Sequence, residues 1–280
     1  MKGVGSVALG DIIYTFAVYK FFWIAIAVFA FGVAYRIARM IFYWRRPVKA
    51  DARKRPLSKL IIEFPKTFIV PIIFAAKNRK EEFLFGLMLL HIIGVLPILF
   101  LLSQHVAVWS YYLPIYRVVA QLGLWIPESY SSSAPSVSSL LPPGFDGSVF
   151  RESIWGPLTV ILNGDVLAVL AMIGIVAKMI LRIADSIRGV RGLKLSDMFN
   201  YLLLLGILLT GFLAARYGIG SAEVPTVNTA TYRLLLGLHV LLAEILLMWI
   251  PFSKYWHFVF GYWYGEIHKY WDVKVRKGVV

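Results

Sequence analysis

The stretch Leu236–Trp263, LGLHVLLAEILLMWIPFSKYWHFVFGYW, decides the fold class. It is almost entirely apolar, and a helix needs about 20 such residues to cross the hydrocarbon core of a bilayer. Yet His239 and His257 lie within it, eighteen residues apart. Ionisable side chains are costly inside a membrane, so these two histidines are candidates for a functional site.

The composition of the whole chain indicates an integral membrane protein. Of 280 residues, 59% are hydrophobic and 16% are charged, and the mean hydropathy is +0.73. The net charge of +14 would suggest nucleic acid in a soluble protein. Here the Lys and Arg residues fall in runs between apolar blocks, as in cytoplasmic loops, so we expect no nucleic-acid partner. The chain has no cysteine, which leaves His, Met or carboxylate to bind a metal.

Five apolar blocks predict an all-α, multi-pass protein of the cytoplasmic membrane, with one five-helix domain over residues 1–280. The blocks are Ile13–Ala38, Phe83–Trp109, Leu158–Ile183, Met198–Arg216 and Thr231–Gly261. The basic runs lie in every second connection between the blocks, which would place those connections in the cytoplasm. The N-terminus is therefore predicted outside and the C-terminus cytoplasmic. Residues 45–82 then form a basic cytoplasmic loop with an interfacial segment, residues 110–156 an outside loop, and residues 262–280 a cytoplasmic tail.

Four of the five histidines fall within these blocks, as two pairs. His91 and His105 are fourteen residues apart in the second block, and the pair in the fifth block is eighteen apart. At about 100° per residue, the members of each pair lie within about 40° of one another around an α-helix. One member of each pair is near each membrane surface. A proline between them predicts a kink in each helix.

The second and fifth blocks run in opposite directions, so the histidines pair by depth. His91 is predicted to face His257 near the cytoplasm, and His105 to face His239 near the outside. Two histidines that face one another across a helix pair are typical of bis-imidazole haem ligation, which predicts two b haems. The alternatives are ordinary packing and a transporter or proton channel that uses the histidines as a relay.

The fifth block also carries a family resemblance. Its sequence HVLLAEILLMWIPFSKYWH (His239–His257) closely resembles the cytochrome b (gamma) subunit of respiratory nitrate reductase and its relatives in sulfite-reductase-linked and heterodisulfide-reductase-like complexes. Ile12–Arg39 and Ser196–Gly218 resemble the first and fourth helices of that family. The resemblance implies five helices and two b haems on His91, His105, His239 and His257.

The resemblance further implies a membrane-anchoring electron-transfer subunit. It would exchange electrons between the membrane quinone or menaquinone pool and a cytoplasmic iron–sulfur subunit. The wide spacing in the second block favours the sulfur- or heterodisulfide-linked branch, with a nitrate reductase gamma subunit as the alternative. We expect the basic, aromatic tail after Tyr264 to dock the iron–sulfur subunit, since such residues are typical of interface cores.

A quinone site would need a proton-exchanging group and a hydrogen-bond donor beside the outer haem. The candidates at that depth are Lys20, Arg117, Asp165 and Glu244. Each has an ordinary explanation as well. Lys20 can extend its ammonium group to the membrane surface, and Arg117 can bind lipid phosphate or a haem propionate. Asp165 can cap a helix, and Glu244 can pair inside the protein.

Overall fold

The computed structural model describes residues 9–44, 75–118, 162–190, 192–218 and 230–256, with residues 69, 72–73 and 126. Five helices in this part of the chain are long and apolar enough to cross a membrane. They are the first to fifth helices: Leu9–Arg39, Glu82–Leu101, Gly164–Ile187, Leu195–Ala215 and Ala230–Phe252. The described residues contain no strand, only one isolated bridge between Leu102 and Ile126. The prediction of an all-α chain with five helices of membrane length is confirmed.

The first helix is mixed in type. It begins with an α-helix over Leu9–Thr15 and a π-helical segment over Phe16–Phe21. The α-helix that follows, Phe22–Trp44, continues beyond Arg39, where the span of membrane length ends. Many of its large apolar side chains are exposed, for example Trp23 at 68% and Phe31 at 71%. Such exposure fits a helix that faces lipid, because lipid tails are as apolar as these side chains.

The second helix is irregular and breaks before its predicted end. A π-helix over Glu82–Val95 is followed by an α-helix over Leu96–Leu101. Leu102 is extended (φ −65°, ψ 134°), and a separate α-helix then runs over Ser103–Tyr112. The prediction of one continuous helix over Phe83–Trp109 is therefore wrong at Leu102.

The break leaves backbone carbonyls without helical partners, which is costly inside a membrane. The four carbonyls before it each accept a hydrogen bond from another group. The bonds run from His105 Nδ1 to Ile98 O (2.6 Å), from Trp109 Nε1 to Leu99 O (2.8 Å), from the Tyr116 hydroxyl to Phe100 O, and from Ile126 N to Leu101 O (2.5 Å). Burial raises the pKa of Tyr116, which keeps its hydroxyl protonated as a donor. The break is therefore fully capped.

The third and fifth helices also differ from their predicted ranges. The third begins at Gly164, after Asn163, whose extended backbone and side-chain bond from Asp165 N (2.8 Å) form an N-cap. The predicted start at Leu158 was too early. The fifth is α-helical over Ala230–Trp249 and 3₁₀ over Ile250–Phe252, and Ser253 is extended. The predicted helix to Gly261 is thus interrupted, because Pro251 lacks the N–H that an α-helix needs. Residues 257–261 lie outside the described residues.

The described residues fall into two compact units. The first comprises residues up to Val18 with Arg79–Leu242. Its core lies among the second, third and fourth helices and contains Leu90, Ile98, Leu102, Ile126, Leu167, Ala168, Ala171, Ile175 and Leu208. Gly94 allows the second and third helices to approach closely, since a Cβ there would lie 2.5 Å from Ala171 Cβ.

Two ion pairs tie the third helix to its neighbours in this first unit. Lys178 pairs with Glu82 of the second helix. Arg182 pairs with Asp197 of the fourth helix at 2.8 Å and also donates to the carbonyl of Gly192 at 2.7 Å. Charges in a membrane protein are tolerated when paired in this way.

The second unit comprises Tyr19–Asn78 with residues from Ala243 onward. Within it, Arg36 Nε donates to the carbonyl of Pro251 at 2.6 Å. The Arg36 guanidinium also lies 5.7 Å from the ring centroid of Trp256. A cation at the C-terminal end of a helix is favourable, so Arg36 stabilises the end of the fifth helix.

Candidate functional site

The structure brings His105 and His239 together within the first unit. Their ring centroids are 6.2 Å apart, and the ring planes are nearly parallel, at 12°. His105 lies in the helix over Ser103–Tyr112, and His239 lies in the fifth helix. The rings therefore face one another across two different helices, as the pairing by depth requires.

The break in the second helix orients His105. Leu102 N donates to the carbonyl of Pro97 at 3.1 Å, so the carbonyl of Ile98 does not serve that amide. Instead, His105 Nδ1 donates a hydrogen bond to the carbonyl of Ile98 at 2.6 Å. The imidazole is thus held by the last turn before the break.

The fourth helix orients His239. The Nδ1 atom of His239 lies 2.8 Å from the carbonyl of Ile207. The same carbonyl accepts a bond from the Thr210 hydroxyl at 3.1 Å, and that hydroxyl also donates to Gly206 O at 2.6 Å. The ring lies against the backbone of Gly211, where a Cβ would be 2.8 Å from His239 Cε1.

The protonation state of both rings follows from these partners. A carbonyl oxygen can only accept a hydrogen bond, so Nδ1 carries the proton in His105 and in His239. In a neutral imidazole the lone pair is then on Nε2, the atom that remains to bind a metal. Within the described residues, neither Nε2 makes a hydrogen bond. A histidine that donates its other N–H to a carbonyl is the usual form of a metal ligand.

The separation of the two rings fits a shared metal. A metal–imidazole bond is about 2 Å long, and each nitrogen lies about 1 Å from its ring centroid, so two opposed ligands have centroids about 6 Å apart. The observed 6.2 Å agrees with this value. Among the described residues, no group of three or more His, Cys, Asp or Glu residues could hold a metal ion. An axial pair completed by a porphyrin needs only two protein ligands.

His91 has the same kind of partner in the π-helical part of the second helix. Its Nδ1 lies 2.6 Å from the carbonyl of Gly86, so its Nε2 is the atom that can bind a metal. Its predicted partner, His257, lies outside the described residues.

The predicted α-helical stripe does not hold for His91 and His105. In the second helix, the π-helix and the break at Leu102 change the angle per residue between His91 and His105. In the fifth, the α-helix ends at Trp249, and His257 lies outside the described residues, so the alignment of that pair stays a prediction. Depth in the membrane is less sensitive to such irregularities than angle, because a break turns a helix without reversing its direction.

The four predicted quinone-site residues have different surroundings. Asp165 is buried in the first turn of the third helix, whereas Arg117 is exposed at the end of the 3₁₀ turn that follows the His105 helix. Lys20 is exposed on the π-helical segment of the first helix. Glu244 is 4% exposed, and neither of its carboxyl oxygens has a hydrogen-bond partner in the described part of the chain.

Some residues of the site could not be found from the sequence. Thr210 and Gly211 lie in the stretch that resembles the fourth helix of the cytochrome b family. The stretch does not show that Gly211 packs against His239 or that Thr210 bonds the carbonyl of Ile207. The acceptors for His105 and His239 are backbone carbonyls, which every residue has. Only the break and the packing of the fourth helix select them.

No family model, curated protein or solved structure matches the chain.

Proposed function

We propose that this chain is the membrane-anchoring di-haem cytochrome b subunit of a respiratory redox complex. It would exchange electrons between the membrane quinone pool and a cytoplasmic iron–sulfur subunit. The observation that supports this most strongly is the facing pair His105 and His239. Their separation of 6.2 Å and their carbonyl-bound Nδ1 atoms suit two axial ligands of one iron.

The chain's own residues would hold and tune the cofactors. A bound haem would supply an iron that alternates between ferric and ferrous states and so carries one electron. His105 and His239 would hold one haem, and His91 with His257 the other. The carbonyl bonds to Nδ1 make the ligating nitrogen more basic and fix the ring direction. His105 is bonded to the carbonyl of Ile98, a member of the apolar core.

The proposed topology follows the distribution of positive charge. Basic runs at residues 45–59 and 182–194 and in the tail would face the cytoplasm, which puts the N-terminus outside. His105 and His239 would then be near the outer surface of the cytoplasmic membrane. The quinone would bind on that side.

Buried and exposed candidates suit different parts of a quinone site. Asp165, buried at the start of the third helix, could exchange a proton away from bulk water. Arg117 follows the His105 helix and could donate a hydrogen bond from the membrane surface. Lys20, exposed on the first helix, and Glu244, buried in the fifth, also remain candidates.

The partner would be an iron–sulfur subunit bound at the cytoplasmic face. We propose the sulfur- or heterodisulfide-linked branch for the complex, with nitrate reductase as the alternative. The chain would carry no catalytic residue for the terminal substrate, since that reaction belongs to the partner. The tail after Tyr264 remains the proposed dock.

Quinol reduction tests this function. The purified protein in lipid vesicles is mixed with a menaquinol analogue, and the reduced-minus-oxidised visible spectrum is recorded. We expect the absorbance bands of ferrous b haem to appear after the quinol analogue is added. The His105→Asn variant should lose most of this response, while a viologen dye should still reduce its remaining haem. A variant reduced by the quinol analogue as fast as the unmodified protein would contradict a quinone site beside His105.

A second function, proton translocation, is favoured by one specific observation. Glu244 is buried in a helix of membrane length, and its carboxyl oxygens have no hydrogen-bond partner among the described residues. Intramembrane carboxyl groups often belong to proton relays. Proton flux in vesicles that is abolished by Glu244→Gln, in a protein that binds no haem, would favour this function over the first.

A further inference from the structure

We propose that Gly211 and the carbonyl of Ile207 form a seat that orients the imidazole of His239, with Thr210 shaping the same turn. This inference rests on the proposed function, because it gives the fourth helix a positioning role at the His105–His239 haem site. The seat would act through His239 and would not touch the iron.

The contact with Gly211 is too close for any side chain. A Cβ at this position would lie 2.8 Å from Cε1 and 2.9 Å from Nδ1 of His239. Non-bonded carbon atoms pack at about 3.5–4.0 Å, so one added methyl group would displace the ring or the helix. Glycine at this position lets the imidazole lie directly on the helix backbone.

The Ile207 carbonyl adds a hydrogen bond at Nδ1, on the same edge of the ring that lies against Gly211. It is one turn before Gly211 and accepts the His239 Nδ1 proton at 2.8 Å. A ring that rotated out of the Gly211 notch would lose this bond. The notch and the carbonyl thus select one ring orientation, in which the plane lies at 12° to that of His105.

Thr210 shapes the turn that presents this carbonyl. Its hydroxyl donates to Gly206 O at 2.6 Å and to Ile207 O at 3.1 Å. Hydroxyl bonds of this type, back to the preceding turn, often bend helices. Ile207 O therefore accepts hydrogen bonds from both the Thr210 hydroxyl and the His239 imidazole. Because the two donors share this oxygen, Thr210 influences how strongly His239 is held.

The orientation of the ring has measurable consequences for a bound haem. Parallel axial imidazoles give a rhombic low-spin ferric EPR signal, whereas perpendicular ones give a highly anisotropic signal. A strong hydrogen bond at Nδ1 makes the ligand more basic, which stabilises ferric iron and lowers the reduction potential. Loss of the seat should change both properties in one haem only.

The test compares Gly211→Ala with Gly206→Ala in the full-length protein. The two substitutions are identical, lie in the same helix and both raise helix propensity. At Gly206 the nearest atom to an added Cβ is Leu242 Cδ1, 3.2 Å away at the end of a flexible side chain. For each variant we would measure haem content, the ferric EPR spectrum and the midpoint potential of each haem.

We expect Gly211→Ala to lose the His105–His239 haem or to shift its g-values and raise its potential, with the other haem unchanged. Gly206→Ala should resemble the unmodified protein. If Gly211→Ala does not accumulate, Thr210→Val replaces it, with Thr210→Ser as the variant that keeps the hydroxyl. Thr210→Val should shift the same haem, and Thr210→Ser should restore its signal.

The outcomes separate this inference from the proposed function. An unmodified protein that binds no haem would overturn both. An unmodified protein with two haems, but with the same EPR spectrum and potentials in Gly211→Ala, would overturn the seat alone. Equal shifts in Gly211→Ala and Gly206→Ala would also overturn it, because they would reflect a general change in the fourth helix.

Discussion

Replacing His105 or His239 by alanine is expected to remove one haem, and the same haem in both variants. The haem content should fall by about half, since a b haem is held in place largely by its two axial ligands. The remaining haem should keep its spectrum and potential. The measurement is the ratio of haem to protein in the purified variants, together with a redox titration. His268→Ala, a histidine outside the predicted helices, serves as the control.

The structure refines the design of this experiment. His105 also satisfies the carbonyl of Ile98, so alanine would leave a carbonyl unpaired at the break, at a cost of about 1–3 kcal/mol. The amide of asparagine can donate to the same carbonyl but is a poor iron ligand. His105→Asn should therefore lose the haem and retain the fold. If it kept both haems, His105 would have only the structural role of capping the break.

Replacing His91 by alanine is expected to remove the other haem and to leave the His105–His239 site intact. The reason is that His91 lies in the π-helical segment and has its own carbonyl partner, Gly86. The double variant His91→Ala/His239→Ala should bind no haem, because it loses one ligand of each site. The double variant His105→Ala/His239→Ala should still bind one haem. Pyridine haemochrome analysis of the unmodified protein and these three variants gives the number of haems in each.

The pairing by depth would fail under a different pattern of loss. If His91→Ala and His105→Ala removed the same haem, both ligands would come from the second apolar block, Phe83–Trp109. The structure argues against this, because the ring that faces His105 belongs to His239 of the fifth helix. His91→Asn, which can still donate to Gly86 O, separates loss of ligation from loss of helix stability.

The sequence predicted where the helices lie, but not where they depart from regular α-helical geometry. Hydropathy located all five helices, because membrane length and apolar composition are properties of the residues themselves. The π-helix over Glu82–Val95 and the break at Leu102 could not be foreseen. The break is stabilised by groups distant in sequence, such as the amide of Ile126, which donates to the carbonyl of Leu101.

For the candidate site, the proximity of two histidines could be predicted, but the orientation of their rings could not. That His105 and His239 come together is expected from the opposite directions predicted for their two helices, and a kink does not reverse a helix. That their rings are parallel depends on which carbonyls are free. Ile98 O is free because of the break, and Ile207 O is reached because Gly211 lets the ring approach. Neither condition is visible in the spacing of the histidines.

The most direct test of the central claim is the visible spectrum and haem-to-protein ratio of the unmodified, full-length protein. It would be produced with an adequate supply of haem and purified in detergent. The account predicts a red protein with the low-spin b-type spectrum and two haems per chain. A colourless protein that is folded and does not take up added haem would contradict the claim that His105 and His239 are axial ligands.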